Sequence, residues 1–117
     1  MEPALDELAR FTTIDLTTIG RTTGLLRRIE IWWFRVDGRF IITGTPGFRD
    51  WYANVLANPA VVIHVDGRAL PATVRPVRDP GVRLRVFTHP DTNWYTTQAS
   101  LDDLVATSPM VEVRFDD

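Results

Sequence analysis

The stretch LTTIGRTTGLLRRIEIWW, residues 16–33, places a glycine-bracketed turn between two strand-like segments. The turn, GRTTG at residues 20–24, carries one arginine and two threonines, and Arg27 and Arg28 follow it closely. Glycines let a backbone approach a ligand, and guanidinium, hydroxyl and amide groups all suit phosphate or carboxylate. The pattern indicates either an anion-binding site on a β scaffold or a polar hairpin turn, and these residues alone leave both interpretations open.

The segments around this turn predict a small antiparallel barrel. Residues 11–19 are rich in β-branched side chains, which favour a strand. Asp37-Gly38 and Asp66-Gly67 are tight-hairpin signals, each between two strand-like segments. The predicted strands are residues 11–19, 27–36, 39–43, 60–65, 68–77 and 110–115.

Helices are predicted to pack outside this barrel. Residues 48–57 follow helical spacing and end at Asn58-Pro59, and residues 91–107 are predicted to be mostly helical, with Ser100 as a cap. Residues 82–87 fit either a helix or a strand, and residues 1–10 are predicted to form an N-terminal helix or tail. The face of the 48–57 helix that we expect to pack is Phe48, Trp51, Tyr52, Val55 and Leu56.

The amino-acid composition excludes several kinds of binding site and several classes of partner. The chain has 117 residues and a net charge of −2, with no basic stripe of interleaved aromatics, so nucleic acid is not expected as a partner. All 13 cationic side chains are arginine, so an anion site must use guanidinium, hydroxyl or backbone groups. There is no cysteine, which excludes thiolate chemistry. No signal-peptide pattern or membrane-length apolar run is present, so we expect a cytoplasmic protein without a membrane partner. The length predicts a single domain, residues 1–117.

Two motifs in the same order and separation resemble the deazaflavin-dependent nitroreductase family. The first is TTIGRTTG at residues 17–24, followed by Arg27 and the strand that contains Ile31. The second is GTPG at residues 44–47, then DWYANVLANP at residues 50–59 and a further strand. The resemblance implies a mainly β protein, a split β-barrel of about six mostly antiparallel strands with two to three flanking helices. It also implies hydride transfer from reduced coenzyme F420 to an electron-poor small-molecule acceptor, such as a quinone, enone or nitroaromatic.

The resemblance also assigns roles to residues. It implies that the glycine turn and its arginines bind the phosphate and polyglutamate tail, that the loop at residues 42–46 contacts the deazaflavin ring, and that the following helix start completes the pocket. The implied cofactor-binding residues are Arg21, Thr22, Thr23, Gly24, Arg27, Arg28, Ile42, Thr43, Gly44, Thr45, Pro46, Arg49, Asp50, Trp51 and Asn54.

Two positions depart from the family pattern. Thr22 stands where a second cationic residue is common, and Leu26 stands where proline is common. These departures favour, as an alternative, a non-catalytic carrier of F420 or of a lipid on the same fold. FMN is an alternative cofactor, because a fold alone does not determine the ligand.

The aromatic residues and histidines complete the set of candidates. Trp32, Trp51, Trp94 and Tyr95 are predicted walls of a substrate pocket, with core packing as the alternative and the favoured one for Trp32. Tyr95 is the candidate catalytic residue, as a proton donor. The two histidines are isolated in the sequence, so no metal is predicted.

Two further expectations concern surfaces. The arginines at positions 75, 78, 83 and 85 alternate along exposed-looking segments, which predicts a solvated face. Barrels of the resembled family commonly pair, so a homodimer is a candidate assembly.

Overall fold

Seven strands and four α-helices make up the described chain, residues 3–116 of a computed structural model. The strands are β1 (Thr13–Ile19), β2 (Leu26–Trp32), β3 (Phe34–Val36), β4 (Arg39–Thr43), β5 (Ala60–Val65), β6 (Arg68–Pro76) and β7 (Met110–Phe115). The helices are α1 (Leu5–Leu8), α2 (Asp50–Ala57), α3 (Pro80–Thr88) and α4 (Leu101–Thr107), and a 3₁₀ helix spans Asn93–Thr97. All strands join one antiparallel sheet in the order β2-β1-β5-β6-β7-β4-β3, which confirms the mainly β, split-barrel prediction.

The two edge strands of this sheet are consecutive in the chain. β2 pairs with β1 and β3 pairs with β4, and only Trp33 separates β2 from β3. The Trp33 ring is buried and stacks on Phe40 with centroids 4.2 Å apart, while its Nε1 donates to the Phe11 carbonyl at 2.7 Å. The single strand predicted at residues 27–36 is therefore divided at a buried tryptophan, and the strand count is seven where about six were predicted.

Both Asp-Gly turns form as predicted. Asp37 and Gly38 have φ values of 52° and 73°, and Asp66 and Gly67 have 53° and 70°. Positive φ at both central residues is the requirement of a tight hairpin whose twist matches its strands. These turns set the registers of β3 with β4 and of β5 with β6.

Side chains alternate between two hydrophobic cores on opposite faces of the sheet. The inner face encloses the barrel interior, where Leu16, Phe40 and Ile63 pack together. The outer face carries Ile41 and is covered by α3, α4 and the 3₁₀ helix, with Phe87 as one of its buried residues. The terms inner face and outer face are used below in this sense.

Helix α2 begins at Asp50, two residues later than predicted. Trp51 and Val55 pack into the inner core, and Tyr52 packs partly against it. Phe48 is 72% exposed because it precedes the helix, directly after Gly47, whose φ of 135° interrupts helical geometry. The predicted packing face is correct for Trp51, Tyr52 and Val55 and wrong for Phe48 and Leu56, which is also exposed.

The C-terminal third of the chain is helical before its last strand. Residues 82–87, which fitted either element, lie in α3, where the Asp79 side chain accepts from the Gly81 amide at 2.8 Å. Ser100 caps α4 as predicted, because its Oγ accepts from the Asp103 amide at 3.1 Å.

Arg83 is buried, so the predicted solvated face is wrong at this position, although Arg75, Arg78 and Arg85 are exposed. Its guanidinium donates to the carbonyls of Val77 at 2.8 Å, Val105 at 2.5 Å and Ser108 at 2.6 Å. A buried polar group is tolerated when its hydrogen bonds are made, and these bonds tie α3 to the end of α4.

We expect Arg83→Met to lower the free energy of unfolding by about 3 kcal/mol, because buried carbonyls lose their donors. Denaturant unfolding followed by tryptophan fluorescence measures the loss. Arg85→Met is the matched control: Arg85 pairs with Asp37 on the surface, and such a pair contributes about 0–1 kcal/mol. Equal losses in the two variants would contradict the structural role of Arg83.

His64 lies on the outer face of β5, beside charged groups of the neighbouring strands. Its Nε2 lies 2.8 Å from Thr17 Oγ1, and Asp15 is its cross-strand partner. Burial lowers the pKa of His64 below its ordinary value of 6.5, the Arg28 guanidinium lowers it further, and Asp15 opposes both. The folded state therefore favours a neutral His64.

A depressed folded-state pKa makes stability depend on pH in a defined direction. Below pH 6.5 the unfolded chain binds the proton of His64 more readily than the folded chain does. We expect stability to be full above that pH and to fall as the pH drops through the folded-state pKa, by at most about 1.4 kcal/mol per pH unit for one proton. His64→Gln should flatten this dependence, and identical profiles for wild type and His64→Gln would contradict the assignment.

Candidate functional site

A cavity of about 460 Å³ lies between the 20–24 turn and the start of α2, and we call it the arginine cavity. The turn forms one side, the inner face of β1 and β2 a second, and α2 a third. The residues that line it are Thr18, Gly20, Arg21, Thr22, Thr23, Arg27, Ile29, Asp50, Trp51 and Asn54.

The glycine turn has a compact backbone geometry. The Gly24 amide donates to the Gly20 carbonyl at 2.9 Å, and the Gly20 amide donates to the Leu25 carbonyl at 2.8 Å. Gly24 has a φ of 72°, which disfavours other residues, and a Cβ on Gly20 would lie 2.9 Å from Thr23 Oγ1. Both glycines are therefore required by the turn, which presents Arg21 and its two threonines to the cavity.

Strand register directs Arg27 into the same cavity. In the β1–β2 pair, Thr18 lies opposite Arg27 and Leu16 lies opposite Ile29. Because Leu16 belongs to the inner core, its partners on that face also point inward. Arg27 and Ile29 thus place a cation and an apolar side chain side by side in the cavity wall.

The Asn54 side chain joins the turn to α2. Its Oδ1 accepts from the Arg21 amide at 3.1 Å and from Arg21 Nη1 at 2.9 Å, and its Nδ2 donates to Thr18 Oγ1 at 3.2 Å. Asn54 is 5% exposed, and its bond to Thr18 forms away from water. Asp50 adds an ion pair to Arg21 Nη2 at 3.2 Å.

The loop before α2 is organised by its own arginine. Arg49 donates from Nη2 to the Thr45 carbonyl at 3.2 Å and to Thr45 Oγ1 at 3.1 Å, and from Nη1 to the Phe48 carbonyl at 3.0 Å. Ile42 lies in the inner core, and the buried Thr43 donates to the Pro109 carbonyl at 2.7 Å. This loop and strand end do not line the arginine cavity.

Arg28 points away from the arginine cavity. It occupies the outer face of β2, and its Nε donates to Asp15 Oδ2 at 2.8 Å. Adjacent residues of a strand face opposite sides, so Arg27 and Arg28 cannot share one site on this strand.

The structure therefore unites seven of the predicted cofactor-binding residues in one cavity. They are Arg21, Thr22, Thr23, Arg27, Asp50, Trp51 and Asn54. The others lie outside its lining: Gly24, Arg28, Ile42, Thr43, Gly44, Thr45, Pro46 and Arg49.

The four predicted aromatic walls divide into two groups. Trp51 lines the arginine cavity and meets Tyr52 edge-on at 5.6 Å. Trp94 stacks on Tyr95 with ring centroids 3.9 Å apart and lies 5.7 Å from Trp32. These last three form an aromatic cluster on the outer side of the barrel and do not line the arginine cavity. The favoured prediction of core packing for Trp32 is wrong, because Trp32 is 50% exposed, whereas Tyr95 is buried.

Tyr95 is nevertheless electrostatically linked to the loop before α2. Burial raises the pKa of Tyr95 above its ordinary value of 10.0, and the positive charge of Arg49 opposes that rise. Tyr95 therefore keeps its phenolic proton at neutral pH.

Three lining residues were not among the predicted site residues: Thr18, Gly20 and Ile29. Ile29 could have been predicted from the alternation of side chains along β2, because it lies two residues beyond Arg27 on the same face. Thr18 could be found only from the register of β1 with β2 and from Asn54, which the sequence does not reveal.

The donors of the arginine cavity fit an anionic ligand with an apolar part. Two guanidiniums and several threonine hydroxyls suit phosphate or carboxylate, and Ile29 and Trp51 offer an apolar wall. Within residues 3–116 no three His, Cys, Asp or Glu side chains are grouped to hold a metal ion. No helix in that range has the length and apolar character needed to cross a membrane.

Comparison with solved structures relates the fold to other split barrels. An F420-H2 dependent reductase (FDR-A) matches with a TM-score of 0.62 at 24% identity, over 88% of this chain and 94% of that chain. A domain-swapped dimer matches with the same score and identity, over 88% and 80%. A conserved hypothetical protein from Mycobacterium tuberculosis matches with a TM-score of 0.67 at 16% identity, over 96% and 78%. At these identities the likeness establishes the fold.

The family is established by the sequence itself. The family model for F420H(2)-dependent quinone reductase matches residues 5–113, which is nearly the whole chain. The match spans both motifs, the arginine cavity and the aromatic cluster. The chain therefore belongs to the F420H(2)-dependent quinone reductase family of oxidoreductases, and its cofactor is coenzyme F420.

Proposed function

We propose that this protein transfers hydride from reduced coenzyme F420 to an electron-poor acceptor of the quinone, enone or nitroaromatic class. The observation that supports it most directly is the meeting of Arg21, Arg27 and Trp51 in one cavity. Such a cavity can bind an anionic tail at one end and an apolar ring at the other.

The residues of this chain would bind, orient and exclude water, while the coenzyme, when bound, supplies the hydride. Arg21 and Arg27 hold phosphate and carboxylate groups, assisted by the hydroxyls of Thr22 and Thr23. Ile29 and Trp51 pack against apolar parts of the coenzyme and keep water from them. The loop at residues 42–46 and Arg49 stay predicted contacts of the deazaflavin ring.

Arg27→Ala tests the binding mode, with Arg28→Ala as a matched control from the opposite face of the same strand. We expect Arg27→Ala to weaken F420 binding about tenfold, because a charge-assisted contact contributes about 1.5–3 kcal/mol when well formed. Arg28→Ala should bind like the wild type. Quenching of intrinsic tryptophan fluorescence measures both dissociation constants, and equal affinities for F420 would contradict the assignment of the arginine cavity.

The same titration with FMN tests the cofactor preference on this chain, and we expect F420 to bind more tightly. Turnover of menadione or a nitroaromatic by reduced F420 then tests catalysis. Tight F420 binding without turnover of either acceptor would favour the carrier alternative, which the departures at Thr22 and Leu26 suggested.

Tyr95 remains the predicted proton donor for the reduced acceptor. Its retained phenolic proton supports that role. We expect Tyr95→Phe to lower kcat by at least about a hundredfold, the lower end of the usual range for general acids, without changing the F420 dissociation constant. An unchanged kcat in Tyr95→Phe would indicate that solvent donates the proton to the reduced acceptor.

We also propose a homodimer as the assembled state. The open edge of β2 supports this proposal, because Leu26 is 71% exposed and Trp32 is 50% exposed beside the exposed Trp94. Exposed apolar side chains along an unpaired strand edge favour pairing with a second chain. Cytoplasmic location stays a prediction.

A further inference from the structure

The two arginines of the arginine cavity, Arg21 and Arg27, differ in whether they are already paired with a carboxylate. Arg21 is engaged by Asn54 through Nη1 and by Asp50 through Nη2. Arg27 makes no ion pair within residues 3–116. One cation is therefore available to a ligand anion from the outset, whereas the other already holds a carboxylate.

Asp50 is the one carboxylate among the lining residues of the cavity in the described part of the chain. Its side chain is 80% exposed, and its contact with Arg21 is a single ion pair of 3.2 Å. An exposed pair of this kind contributes little net free energy, because water can solvate both charges. Asp50 can therefore rotate away from Arg21 at small cost.

The Arg21 guanidinium stays in place without Asp50. Asn54 accepts from both its backbone amide and Nη1, and the Phe48 ring lies 5.5 Å from the guanidinium carbon. Phe48, which its position before α2 leaves exposed, thus offers its ring to Arg21 for a cation–π contact. Loss of the Asp50 contact would leave Nη2 preorganised toward the cavity.

We propose that Asp50 occupies the position on Arg21 that an anionic group of the coenzyme takes on binding, so that Asp50 limits affinity and sets its salt dependence. This inference rests on the proposed F420 function. Arg27 receives the first anionic group of the ligand, and a second one displaces Asp50 from Arg21. Asp50 thus weakens binding of the coenzyme, whereas Arg21 and Arg27 strengthen it.

Asp50→Asn tests the displacement, because it removes the charge and keeps the shape of the side chain. We expect the F420 dissociation constant to fall about threefold at low ionic strength, the scale of an exposed ion pair that no longer has to break. The difference from wild type should shrink at high ionic strength, where both attractions are screened. Asp102→Asn, at the exposed first turn of α4, is the matched control and should bind like the wild type.

A double-mutant cycle separates displacement from general repulsion. If Asp50 acts by occupying Arg21, Asp50→Asn has no effect in an Arg21→Ala background. If it only repels the ligand, the gain is the same in both backgrounds, and the inference is overturned.

The outcomes distinguish this inference from the function on which it rests. Unchanged F420 binding by Asp50→Asn, with normal wild-type binding, overturns the displacement alone. Weaker binding also overturns it, and in addition indicates that Asp50 contacts the ligand directly. Failure of the wild-type chain to bind F420 overturns the proposed function and this inference together.

Discussion

The division of one strand at Trp33 is the constraint on which the rest of the structure depends. Its ring stacks on Phe40 in the barrel interior and its indole nitrogen bonds to the Phe11 carbonyl, so the chain must bend there. β2 and β3 then serve as opposite edges of one sheet, so the sheet curls until the two edges meet at Trp33, without a β2–β3 pairing that closes it. This curvature sets the inner face of β2 beside α2, and the arginine cavity lies between them.

The buried side-chain amide of Asn54 positions several residues of the arginine cavity. Asn54 has bonds to Thr18 on β1 and to Arg21 in the glycine turn, so a strand, a turn and a helix share one polar contact. A buried amide with these partners satisfied is rigid, because any shift leaves a polar group without its hydrogen bond. The position of the Arg21 guanidinium thus follows from the buried position of Asn54 on α2.

The structure separates the anion-binding side of the molecule from its aromatic side. The arginine cavity opens on the inner face, whereas Trp32, Trp94 and Tyr95 cluster on the outer side with the helices of the C-terminal third. Arg49 organises the loop before α2, outside the lining of the cavity, and its positive charge opposes the rise in the pKa of Tyr95.

Features that depend only on neighbouring residues could be predicted from the local sequence. The Asp-Gly hairpins, the Ser100 cap and the glycine turn were predicted because each follows from local backbone geometry. Tertiary structure alone decided which face of β2 meets α2, and so separated Arg27 from Arg28. It also buried Arg83 against distant carbonyls, divided the strand at Trp33 and paired Arg21 with Asp50, 29 residues along the chain. These outcomes depend on register and packing between remote segments, which local patterns do not encode.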